Sequence, residues 1–363
     1  MTENGKTLVG NNEDWTSPNG QFWFESGVNG TYSAMYMGFL NDFIQGGINE
    51  KGLVFDGFYQ SFKSVNTEGK LDIPIGDALR KVMQTMETVE EVREYLSTVN
   101  LSILENGQLV FVDASGTYLI VEGDVMILGD EAQKSFSNFY YSDIETLDDV
   151  ELPYFQNGQQ FVRSGPKTHS MDYCSRAMGA YSQAGIAPTQ YTTIYDLSEL
   201  TIRVHLKGEY DDFIELDLME ELKKGNHKTM IAELFPKDSE GYQYYLMYND
   251  PDHPTQWLEN LVGDQKLTEQ EYLSNGFDYL VNELGYEWLD GKEDPEGAIK
   301  VFSYGTDIMP NHSGLYDSLG EAYFKNDDLE NAKASYTKSL SLNPENKNAT
   351  EMLSRIERTE MGN

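Results

Sequence analysis

Over residues 6–224 apolar positions alternate with polar or small ones in short runs separated by turn residues, the pattern of half-buried strands. Residues 28–40, rich in aromatic and small side chains, predict strand. Residues 46–55 predict a hairpin turning on Asn49-Glu50-Lys51-Gly52, and residues 109–122 repeat the pattern around Asp113-Ala114-Ser115-Gly116. Between the two hairpins, residues 75–99 switch to helical spacing, and Thr88-Val89-Glu90-Glu91 reads as a capping box that opens a second helix. Residues 193–218 return to β-branched alternation. Many strands with a few helices between them predict an α+β layered domain.

From about residue 267 the pattern is helical and it repeats. Ala298, Phe302 and Pro310 recur 34 residues later as Ala332, Tyr336 and Pro344. Tyr316, Leu319, Gly320 and Tyr323 stand where a tetratricopeptide repeat has its large, Leu-Gly and aromatic positions, and Leu284-Gly285-Tyr286 plays this part in the preceding unit, one residue out of register. In such helix hairpins small residues let two helices approach and the proline ends the second. Two units are fewer than a free-standing array needs, so they are expected to pack on neighbouring helices or on the first domain. The expected organisation is residues 1–225 as the α+β domain, 226–266 as connector, and 267–363 as an all-α hairpin array.

Charge changes the picture of partners. The 61 acidic and 26 basic residues give a formal net charge of −35, which repels phosphate backbones and anionic lipid and argues against nucleic-acid binding. Solubility, in a saline setting for example, accounts for such a surface; attraction of a cationic substrate or partner is the other reading. No apolar run approaches the ~18 residues of a membrane-spanning helix. The single cysteine, Cys174, excludes an internal disulfide and reads as a small buried hydrophobe. The first six residues have neither the basic nor the apolar region of a signal peptide, so the chain as written reads as cytoplasmic; a preceding leader would make it periplasmic or secreted.

The usual catalytic patterns are absent: no HExxH, paired CxxC, GxSxG or P-loop occurs, and His169, His205, His227, His253 and His312 lack metal-ligand spacing. What remains is a set of ordered segments. Gly10-Asn11-Asn12-Glu13-Asp14-Trp15 resembles the Gly-Arg-Asn-x-Asp-Trp segment of the choloylglycine hydrolase and penicillin V acylase family. Gly47-Ile48-Asn49-Glu50-Lys51-Gly52-Leu53 resembles that family's Gly-Met-Asn-Glu-Lys-Gly-Leu hairpin. Val112 to Gly116 with Val121-Glu122, Ser135 to Phe139, and Asp172 to Arg176 resemble three later segments.

The resemblance implies a four-layer αββα sandwich of the N-terminal-nucleophile (Ntn) hydrolases. It also implies cleavage of a linear amide in a small N-acylated substrate, without metal or cofactor. In the family the first residue is Cys, whose thiol attacks the carbonyl while its own α-amino group acts as base. Carried over, Asp14 orients that amine, Asn138 donates to the oxyanion, and Arg176 is a distal active-site arginine. Tyr59 falls where bile-salt hydrolases tend to have Asn and penicillin V acylases Tyr, which leans away from bile salts. Trp15 and Asn11 are, with Tyr59, candidates for the substrate pocket. Each has a plainer reading: a turn cap for Asp14, backbone satisfaction for Asn138, a surface ion pair for Arg176, packing for Tyr59 and Trp15.

Two departures stand out. Asn11 replaces the family's arginine, so one cationic contact is missing or comes from elsewhere. The nucleophile is absent as well, because the strand it heads would begin a few residues before Met1. Three readings stay open: a start upstream of Met1 that supplies the Cys, a pseudoenzyme that binds without catalysis, and Thr2 as a substitute N-terminal nucleophile. The 363-residue chain is expected to be inactive. The competing function is a scaffold whose tetratricopeptide units take a protein partner or mediate self-association.

Overall fold

Asn4 and Gly5, at φ 54° and 78°, supply the two left-handed residues of a tight hairpin between β1 (Thr2–Glu3) and β2 (Lys6–Asp14). The computed structural model describes residues 1–40, 43–164, 168–185, 187–263 and 267–362, the side chains of 360–362 excepted. After β2 come β3 (Gln21–Glu25), β4 (Ala34–Gly38), β5 (Gly46–Asn49) and β6 (Val54–Tyr59). Helices α1 (Ile75–Thr85) and α2 (Val89–Leu96) follow, then β7 (Gly107–Val112), β8 (Tyr118–Glu122) and β9 (Val125–Gly129). Next are α3 (Pro153–Ser164), α4 (Met171–Ala180), β10 (Thr189–Asp196), β11 (Thr201–Leu206), β12 (Ile214–Asp217), α5 (Leu218–Leu222) and β13 (His227–Met230).

These strands form two antiparallel sheets. One has the order β1-β2-β10-β11-β12, the other β13-β3-β4-β5-β6-β7-β8-β9. The alternation anticipated in the sequence sets their faces. Trp23, Tyr36, Phe55, Phe111 and Leu119 turn outward onto the apolar faces of α1 and α2, where Leu79, Val82, Met83, Val89 and Val92 are buried. Behind the other sheet, α4 lays Cys174 against Leu8 and Ile194. Between the sheets the Phe22 and Tyr191 rings meet edge-on at 6.2 Å, and Tyr195 Oη donates to Met37 Sδ at 3.4 Å. The layers are helix, sheet, sheet, helix, as the four-layer expectation required.

Both anticipated hairpins form. Gly52 and Gly116 take φ of 78° and 89° at their turns, and Thr88 caps α2 reciprocally with Glu91. Buried Asn49 accepts from the backbone N–H groups of Lys51 and Leu53 and donates to the carbonyls of Met83 and Met86 at 2.9 Å. One side chain thereby shapes the β5–β6 turn and ties it to the end of α1.

The chain divides into Met1–Trp15 with Asn19–Tyr242, and Thr16–Pro18 with Gln243–Asn363. The second unit contains α7 (Gln256–Val262), α8 (Glu269–Ser274), α9 (Phe277–Tyr286), α10 (Pro295–Ile308), α11 (Ser313–Lys325), α12 (Leu329–Leu342) and α13 (Lys347–Gly362); α6 (Glu240–Tyr248) spans the division. A Cβ on Gly285 would lie 2.3 Å from the Phe302 ring and one on Gly320 3.0 Å from that of Tyr336, the close helix approach that the repeat pattern implied. Tyr248, Trp257, Leu258 and Tyr272 share a core with α9 and α10, so the repeats do pack on neighbouring helices.

The connector expected over 226–266 is corrected. Residues 227–230 add β13 to the large sheet through Phe24, Trp23, Phe22 and Gln21, and 240–262 contain helices. Only four residues of β13 pair, too few for alternation to register, and prolines 251 and 254 masked the helices on either side. Residues 264–266, the end of that expected connector, lie outside the described residues. No helix among the described residues is long and apolar enough to cross a membrane.

Candidate active site

A cavity of about 890 Å³ opens in the first unit, walled by β2, β6–β8, the loop carrying Asn138, and α4. Asp14, Asn11, Trp15, Tyr59 and Asn138 all line it; Arg176 does not.

β2 forms one wall because Gly10 and Asn12 face α4. A Cβ on Gly10 would meet Met178 Cγ at 2.8 Å, and Asn12 Nδ2 donates to Met178 O at 3.0 Å. Asn11 and Glu13 therefore point inward toward the other sheet. At the end of the strand a bulge at Gln190 shifts the pairing, from Tyr191 opposite Glu13 to Thr189 opposite Asp14. It brings Thr189 Oγ1 to Asp14 Oδ1 and Gln183 Nε2 to Asp14 Oδ2, each donating at 2.5 Å. Burial raises the Asp14 carboxyl to about 6, against the pull of these two donors.

Asn138 sits at the opposite lip. Its Nδ2 donates to Tyr59 O at 3.0 Å, and its Oδ1 accepts from Tyr154 Oη at 3.0 Å. One amide N–H is thus engaged and the acceptor oxygen is turned away, an orientation that leaves the second N–H as the group to offer. Tyr59 is exposed and joins this arrangement through its backbone carbonyl. Trp15 packs against Phe39 with ring centroids 5.8 Å apart.

Arg176 is exposed on α4, and its Nε reaches only the backbone oxygen of Asp172, at 3.4 Å. The helix turns its neighbours Cys174 and Ser175 inward and Arg176 outward. Close by, Arg203 is buried and holds Asp172 at 2.7 Å and Glu215 at 2.8 Å. Thr2 pairs with Thr7, seven residues from Asp14 and so roughly 23 Å away along the strand; its backbone N–H donates to Ala132 O. That position removes Thr2 as a partner of Asp14. Cys174 is buried, and burial pushes its thiol up to about 11.

The sequence did not reveal Glu13 and Asp56. Their carboxyls meet across the cavity by a hydrogen bond, Asn11 Nδ2 donates to Glu13 Oε1 at 2.9 Å, and burial raises both carboxyls above the ordinary range. The available signal was period two: inward-facing Asn11 and Glu13 are polar where strand alternation calls for apolar residues.

The edge of β2 away from β10 completes the geometry. Met1 N donates to Leu8 O at 2.6 Å and Leu8 N to Met1 O at 2.8 Å, continuing the β1–β2 ladder by one pair. Beyond Leu8 no strand pairs with this edge among the described residues, and Val9 to Asp14 line the cavity there. The numbers of every β1–β2 pair add to nine, so the position opposite Asp14 is six residues before Met1.

Residues 9–136 match the model of the linear amide C-N hydrolases, choloylglycine hydrolase family. That match carries the β2, β5–β6 and β7–β8 segments. Residues 313–346, spanning α11 and α12, match a tetratricopeptide repeat. Among solved structures, penicillin V acylase from Agrobacterium tumefaciens is 16% identical with a TM-score of 0.47, over 61% of this chain and 85% of that one. Two variants of conjugated bile acid hydrolase from Clostridium perfringens are each 19% identical, with TM-scores of 0.43 and 0.46, over 63% of this chain and 94% of theirs. No curated protein matches the chain.

Proposed function

We propose that the first unit is the body of a linear amide hydrolase whose nucleophile is a cysteine heading a strand that extends β1 along the open edge of β2. The observation that carries this reading is the register: a strand continuing the β1 ladder sets its residue six before Met1 opposite Asp14, at the cavity. An N-terminal amine has a reference pKa of about 8 and is a competent base near neutrality. Asp14, fixed by Thr189 and Gln183, would hold that amine.

In the reaction the amine takes the thiol proton while sulfur bonds to the amide carbon. The oxyanion accepts from Asn138 Nδ2. Collapse of the adduct breaks the C–N bond, and the ammonium returns its proton to the leaving amine. Water then attacks the thioester, releasing the acid and restoring the thiol. The thiol proton leaves on the amine and water restores it in the second step, so the chain's own groups and water complete the scheme without a metal or cofactor. The substrate is a small N-acyl amide seated in the cavity. Tyr59 and Trp15 serve at its mouth, and Asn11 works through Glu13, to which it donates.

The match over 313–346 favours a second, separate role, a protein-docking surface on the helical unit. A peptide partner or a second copy is the occupant such hairpin arrays suit.

The test is amide turnover by two forms, the 363-residue chain and one extended so that Cys is its first residue, six before Met1. The extended form should release amine from an N-acyl anilide and the 363-residue chain should not. Turnover by the 363-residue chain would defeat the nucleophile assignment, and silence from a folded extended form would defeat the hydrolase reading.

A further inference from the structure

The cavity has an unusual electrostatic character. Among the described side chains that line it the acids are Glu13, Asp14, Asp56 and Glu131, and the one cation is Lys134, which leans on Glu131 at 3.5 Å and on the Tyr118 and Tyr141 rings; the Met1 ammonium, also in the lining, donates to Leu8 O. Glu13 on β2 and Asp56 on β6 join the two sheets carboxyl to carboxyl, and neither has an ion-pair partner among the described residues. Asn11 beside them is neutral and donates to Glu13 Oε1.

An independent feature lies on the same wall. Gln108, 1% exposed, pairs with Phe58 in the β6–β7 ladder, while Asp56 pairs with Val110. Asp56 and Gln108 therefore stand on one face as diagonal neighbours, about 7–8 Å apart at the backbone. Gln108 Nε2 donates to Ser137 O at 2.7 Å, but its Oε1 is buried with no donor. A buried acceptor left without a donor is costly, and a ligand that donates removes the cost.

We infer that Glu13, Asp56 and Gln108 form a recognition subsite for a cationic group, a primary ammonium, carried by the ligand of this cavity. The inference rests on the proposed function only in taking that ligand to be an N-acyl amine. A proton shared between the carboxyls limits their repulsion; an ammonium takes its place, donating to both carboxyls and to Gln108 Oε1.

The experiment is calorimetric titration of the 363-residue chain with three probes that share one acyl chain: N-octanoylputrescine, N-octanoylbutylamine and N-octanoyl-γ-aminobutyrate. The putrescine amide should bind ~10-fold or more tightly than the butylamide, with the carboxylate probe weakest. In the Glu13→Gln/Asp56→Asn variant the ratio of the first two should fall to near one; should that variant not fold, Glu13→Gln alone should at least halve it. Equal affinities in the unaltered chain, no binding of the putrescine amide, or a ratio that survives substitution would overturn the inference. Binding is read without turnover, so the two readings fail separately. Charge-selective binding with no hydrolysis by the Cys-headed form sinks only the hydrolase. Hydrolysis without charge preference sinks only the subsite.

Discussion

At the scale of single residues, the site depends on carboxyls held in different settings. Asp14 sits at a strand bulge with two donors on it, which suits an acceptor for an amine. In the Cys-headed form Asp14→Asn removes the charge and is expected to lower kcat/KM by ~100-fold or more, read by steady-state kinetics. Asn138→Ala is expected to lower kcat by about 10²–10³ with KM little changed, the result of losing an oxyanion donor; a fall confined to KM would make Asn138 a packing residue. Glu13 and Asp56 carry a different consequence. Burial raises both carboxyls, so between the unfolded-state value near 4.5 for Glu13 and its higher folded value the native chain holds protons that the unfolded chain has released. The stability they contribute is full below the unfolded value and is lost as pH rises through the folded one. Glu13→Gln escapes that loss, so its advantage over the unaltered chain should grow from pH 5 to pH 8, reaching about 1–3 kcal/mol in urea unfolding. A gap that narrows over this range contradicts the account.

At the scale of elements, the turn residues carry most of the information. Asn49 is the clearest case: its amide serves two backbone N–H groups and two carbonyls at once. Asn49→Ala should cost about 2–4 kcal/mol of stability through these unpaired buried groups, a loss measurable by chemical denaturation. The hairpins were legible because Asn-Glu-Lys-Gly and Asp-Ala-Ser-Gly allow few other conformations. The helical repeats were legible because glycine and alanine recur where helices must touch. Other features depend on contacts that spacing does not encode. Arg176 matched a linear pattern, yet the rotation of α4 turned it outward and left Arg203 as the buried cation. β13 is too short to show alternation. The Glu13–Asp56 meeting joins two sheets from residues 43 positions apart, a proximity only the layered fold creates.

At the scale of the molecule, the four-layer unit and the helical unit are built on different grammars, and in the first a strand edge that no described strand pairs lies in the wall of a cavity. Sheet edges are usually covered, blunted or paired. Here the edge from Val9 to Asp14 lies beside the residues proposed for chemistry, and the β1 ladder already sets the register of whatever pairs with it. The edge and the cavity beside it thus fit a strand that begins opposite Asp14. The most direct test is the mass and N-terminal sequence of the protein purified from its natural host. The account predicts a mature chain that begins with Cys, six residues before Met1, and so faces Asp14. A mature chain that begins at Met1 or Thr2 would contradict it.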